Sequence, residues 1–100
     1  MLNYSNKYIA VLQVRAASGK EVLTGNILGC YDDEKTALAE FFALGPKAVV
    51  TARRQAELNG ESFIFAHLYL YAPAEKGAYS PKPHGDIIEI DFAVKNGKLV

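Results

Sequence analysis

The residues able to do acid–base, nucleophilic or metal chemistry are few. The chain has one cysteine, Cys30, and two histidines, His67 and His84. Cys30 and His67 fall on different extended segments, and neither carries a local nucleophile signature. His67 can approach Asp91 or Glu89 across a strand pair, which would orient its imidazole for proton transfer. No nucleophile or oxyanion donors accompany it, so the expectation is a structural histidine bonded to a neighbouring acid or tyrosine. His84-Gly85-Asp86 offers two metal ligands without the partner cluster a closed site requires, and no metal is expected. Ser18-Gly19-Lys20 is a turn, not a phosphate-binding loop. The expectation is a protein with no catalytic residues and no cofactor.

Binding chemistry is better represented. Over residues 62–72 the even positions Ile64, Ala66, Leu68 and Leu70 are aliphatic, while the odd positions read Phe63, Phe65, His67, Tyr69 and Tyr71. Period-two alternation puts these five rings in one row. If the aliphatic faces meet the helices, the row points to the far side, where an uncovered apolar patch marks an interaction site. Tyrosine and phenylalanine suit interface cores because they are large, stiff and amphipathic. The partner-binding set is therefore Phe63, Phe65, His67, Tyr69, Tyr71, Tyr79, Glu89 and Asp91. In the alternative arrangement the sheet is inverted, or the segment from Pro73 to Gly85 folds across the row. Stacking of nucleic-acid bases on the same row is disfavoured, because Glu89 and Asp91 share that surface and only Arg15 and Lys95 offset them. Lys47, Arg53 and Arg54 form a small basic cluster on a helix, the one candidate set for a nucleic-acid partner. It lacks a recognition-helix pattern and reads as a solvated face.

Six elements must position these residues. Residues 7–15 alternate as a strand, Ser18-Gly19 turns the chain, and Glu21 to Tyr31 returns. That turn would pair Val14 with Leu23, Leu12 with Gly25, Ala10 with Ile27 and Tyr8 with Gly29, so that Leu12 and Tyr8 fill the space beside the glycines. Asp32 is the expected N-cap of a helix that turns Ala37, Leu38, Phe41, Phe42 and Leu44 inward, with Phe42 counted as core. Gly45 is expected to close it in a left-handed conformation. Pro46 then opens a second helix to about Leu58, stopping at Asn59-Gly60 and burying Ala48, Val49, Ala52 and Ala56. The aromatic segment is a central strand. A last strand spans Asp86 to Lys95, and Asn96-Gly97 folds Leu99-Val100 back against Ala93-Val94. The segment from Pro73 to Gly85, with three prolines and Tyr79, is long for a hairpin loop and is expected to be mobile.

The order strand, strand, helix, helix, strand, strand implies an α+β domain: one antiparallel sheet of about four strands with both helices on one face. The 100 residues suit a single domain, and a half-apolar composition excludes intrinsic disorder. Eleven basic and eleven acidic residues balance, which counts against a mainly electrostatic hold on nucleic acid or membrane. With one cysteine, no signal-peptide core and no membrane-length apolar run, a cytoplasmic protein is expected. These features together point to a small non-enzymatic protein-binding module of the inhibitor, immunity or adaptor type, a profile shared by small inhibitors carried by phages or mobile elements. That likeness is one of class. Two alternatives follow it: a homo-oligomeric accessory protein, such as a homodimer, with a small-ligand site at its interface, and then a nucleic-acid binder or small enzyme.

Overall fold

The aromatic strand dictates the centre of the fold, because a segment bulky on both faces suits the interior of a sheet. A computed structural model describes residues 7–71 and 86–100. Its elements are β1 (Tyr8–Ala16), β2 (Glu21–Tyr31), α1 (Glu34–Ala43), α2 (Gly45–Leu58), β3 (Phe63–Tyr71), β4 (Asp86–Lys95) and β5 (Lys98–Leu99). They form one antiparallel sheet in the order β2-β1-β3-β4-β5, with β3 in the middle. Both helices pack on one face, as the sequence predicts. The sheet counts five strands where about four are expected, the fifth being the short β5 formed by the expected fold-back after Asn96-Gly97.

β3 stays in step with β1 throughout and with β4 as far as Leu70, after which the pairing shifts to Tyr71↔Asp86. It pairs with β1 without slip from Ile9↔Tyr71 to Ala16↔Ile64, and with β4 from Phe63↔Lys95 to Leu70↔Ile88. Opposed residues share a face, so the even positions line up in rows such as Leu12–Leu68–Ile90 and Val14–Ala66–Phe92. Against these rows α1 buries Ala37 and Phe41, and α2 buries Ala48, Ala52 and Ala56. Alanines one turn apart let α2 approach the sheet closely.

The first hairpin departs from the expected register. Its turn is a three-residue loop: Gly19 N–H donates to Ala16 C=O at 2.9 Å, and Ala16 N–H donates to Lys20 C=O at 2.8 Å. Val14 does oppose Leu23, but Leu12 opposes Asn26, Ala10 opposes Gly29 and Tyr8 opposes Tyr31. Three irregularities in the β1–β2 pairing account for the drift. Gly25 lies at one of them with φ +64°, a conformation glycine adopts without strain. The space at Gly29 is taken by Tyr31, not by Tyr8: a Cβ there would overlap the Tyr31 ring and hydroxyl.

Three helix details are also corrected. Asp33, not Asp32, is the N-cap; its Oδ2 accepts from Thr36 N–H at 2.9 Å, while Asp32 pairs with Lys7. Ala37 and Phe41 are fully buried and Leu38 and Leu44 pack against the core as expected, but Phe42 is 59% exposed and is not part of it. Gly45 is not left-handed. Leu44, in right-handed helical conformation, ends α1 and caps α2, and Gly45 opens α2. The second hairpin follows expectation, with Asn96 and Gly97 at φ +51° and +78° and Val94 opposite Leu99. The mobility expected for 73–85 concerns residues outside those described.

Two outcomes test this packing. Phe41→Ala is expected to lose about 3–5 kcal/mol of unfolding free energy in a denaturant titration, and Phe42→Ala less than about 1 kcal/mol. The bonds from Thr36 N–H and hydroxyl hold the Asp33 carboxyl below its ordinary value. A lowered folded-state pKa stabilises above the unfolded value, about 4, and that contribution disappears as pH falls through the folded one. The melting-temperature gap between the wild type and Asp33→Ala should therefore be open at neutral pH and close on acidification.

Candidate functional site

The face of the sheet turned away from the helices carries the odd positions of β1, β3 and β4, in rows fixed by the same register. One row is Val11–Tyr69–Glu89, the next Gln13–His67–Asp91, and the next Arg15–Phe65–Ala93. The expected partner-binding residues Phe63, Phe65, His67, Tyr69, Tyr71, Glu89 and Asp91 thus share one surface. Tyr79 lies outside the described residues, as does His84.

The row of rings is not uniformly open. At one end Tyr71 is only 4% exposed and is buried with Ile9 and Val11, against which Ile27 and Tyr69 pack. Tyr71 belongs to a second small core, which corrects its assignment to an open stripe. The rings of His67 and Tyr69 stack at 6.1 Å and those of Tyr69 and Tyr71 at 5.6 Å. At the other end Phe65 is 43% exposed and meets Phe63 edge-on at 5.0 Å. Offset and edge-on contacts are the favoured ring geometries, so the ladder stiffens the row.

His67 sits at the middle, with Nδ1 2.6 Å from Asp91 Oδ1 and 3.8 Å from Glu89 Oε2. The cross-strand approach expected from the sequence is therefore present. A hydrogen bond with the Glu89 carboxyl, then donation and charge from His67, holds Asp91 below the usual carboxylate range, while partial burial opposes this. The donor atoms of His67, Glu89 and Asp91 lie within 4.8 Å of one another. One imidazole nitrogen and two carboxylates can share a proton or ligate a divalent cation. Towards the β2 side, Tyr69 donates to Gln13 Oε1 at 3.5 Å and Gln13 donates to Glu21 at 3.1 Å.

The other candidates are placed apart. Cys30 lies on β2 opposite Ile9, with β1 between it and the strand of His67. Burial raises the Cys30 thiol pKa and the Lys7 charge opposes this; a protonated thiol is a poor nucleophile. Lys47, Arg53 and Arg54 are exposed on α2, in the layer on the opposite side of the sheet. One feature was missed by sequence reasoning: an apolar cleft of about 500 Å³ on the helix side, between Pro46, Val49, Leu68, Ile90, Phe92 and Leu99. In the sequence these residues are indistinguishable from ordinary core.

The outer face divides into scaffold and surface, and stability should report the division. Tyr71→Ala is expected to cost about 3 kcal/mol or more, and Phe65→Ala roughly 1 kcal/mol, in paired denaturation curves. Comparison of the chain with protein-family models, curated proteins and solved structures finds no match.

Proposed function

We propose that the chain is a non-enzymatic protein-binding module of the inhibitor, immunity or adaptor type, presenting the outer face of its sheet to a protein partner. The observation that carries this reading is Phe65, an aromatic side chain 43% exposed on the central strand and braced by Phe63. Arg15 is its cross-strand neighbour, Lys95 is that of Phe63, and Glu89 and Asp91 lie further along β4. An aromatic anchor ringed by charges of both signs suits a protein interface, where anchors carry the energy and a polar rim excludes water. The same acids oppose a phosphate backbone. The single cysteine is free and exposed, which fits work in a reducing compartment such as the cytoplasm. No helix among the described residues is long and apolar enough to cross a membrane.

The test is capture of a partner from native host lysate by wild type, Phe65→Ala, Tyr69→Ala and Arg54→Ala. Truncating a central aromatic is expected to weaken capture about thirtyfold while the variant stays folded, with Arg54→Ala unchanged. If sedimentation shows an oligomer that Phe65→Ala dissociates, the partner is a second copy. Loss confined to Arg54→Ala, with weakening by salt, would overturn the reading in favour of nucleic acid.

A further inference from the structure

The trio of His67, Glu89 and Asp91 differs from an acidic surface patch in one respect: an imidazole nitrogen faces its two carboxylates. Nδ1 is the ring atom turned towards both acids, 2.6 Å from Asp91 Oδ1 and 3.8 Å from Glu89 Oε2. Donor atoms that share one ion at about 2.1 Å stand about 3.0 Å apart at right angles and about 3.4 Å apart in a tetrahedron. The two observed separations bracket that range, and the donor atoms of all three residues lie within 4.8 Å of one another. The side chains of Glu89 and Asp91 are 36% and 59% exposed, so small rotations suffice to bring the three donors onto one ion. The backbone supplies the rest of the site. His67 and Asp91 are directly opposed in the β3–β4 pairing, and the ring of His67 stacks on that of Tyr69. Ligands carried on paired strands are held more closely than ligands on loops.

We propose that His67, Glu89 and Asp91 bind a divalent transition-metal ion of the zinc type through one imidazole nitrogen and two carboxylate oxygens. The donor set selects the class of ion. Calcium and magnesium take oxygen ligands throughout, whereas an imidazole favours zinc and its neighbours. Cys30 stands beyond β1, so no thiolate joins the set to favour a softer ion. The carboxyls of Glu89 and Asp91 are hydrogen-bonded to each other. Two carboxyls in such contact hold a proton between them, and the ion takes the place of that proton and releases it. Binding therefore exchanges existing partners for metal–ligand bonds and needs no vacant carboxylate. Three protein ligands leave a coordination position open to water or to a donor group of an incoming molecule. The site goes beyond the protein-binding reading and does not depend on it.

The probe is zinc chloride added to the untagged chain after treatment with a chelator, followed by calorimetry and by NMR. One ion per chain is expected, with a dissociation constant below about 100 μM and magnesium at least about tenfold weaker. The ring signals of His67 should shift together with the amides of Glu89 and Asp91. His67→Gln and Asp91→Asn should each weaken zinc binding about thirtyfold or more, and Cys30→Ser and His84→Ala should leave it unchanged. If His67→Gln does not fold, Asp91→Asn decides, since that side chain is the most exposed of the three. No zinc binding at about 1 mM, equal affinity for zinc and magnesium, or unchanged affinity in a folded ligand variant would overturn the proposal. Loss of binding confined to Cys30→Ser or His84→Ala would overturn it as well, by placing the ion elsewhere.

Discussion

Pairing of β3 with both neighbours, without slip from Ile64 to Leu70, is the constraint on which the rest of the molecule depends. Because side chains alternate, a slip of one residue would exchange every aliphatic for an aromatic on the helix side. Holding step from Ile64 to Leu70 keeps Ala66 and Leu68 under the helices and Phe65 and His67 on the outer face. Phe41 and the alanines of α2 then have a continuous apolar floor to pack on. The drift in the first hairpin is confined to β2, at the sheet's edge, where it disturbs no row of β3.

The same constraint brings the polar groups together. His67 and Asp91 are directly opposed, and Glu89 lies two residues from Asp91 on the same face, so the trio needs no loop to hold it. Its geometry belongs to the sheet. One imidazole and two carboxylates thereby meet on neighbouring strands of a single face.

What was legible in the sequence was governed by period and turn chemistry. Alternation in β3 and β4 and the Asn96-Gly97 turn predict the central strand, the outer-face row and the last hairpin, and the His67–Asp91 approach follows from them. Features set by a single residue of phase were not legible. Phe41 and Phe42 differ by 100° around a helix, and two adjacent aromatics leave the inward one undetermined. Asp32 and Asp33 are equal as caps until Thr36 N–H selects one. The burial of Tyr71 and the cleft beside Phe92 depend on where whole elements end relative to one another, and no local pattern records that.

The irregularities along β2 have a consequence for the molecule as a building block. Sheets polymerise when each molecule offers two edges that can both pair regularly, since joining edge to edge then never closes. Here one outermost strand carries three register shifts and a left-handed glycine, and so presents no even ladder of donors and acceptors. A chain of molecules joined at their sheet margins would stop at its first link. The bulges that spoil the register of the first hairpin thereby act as a terminator, limiting any growth of this sheet to one side.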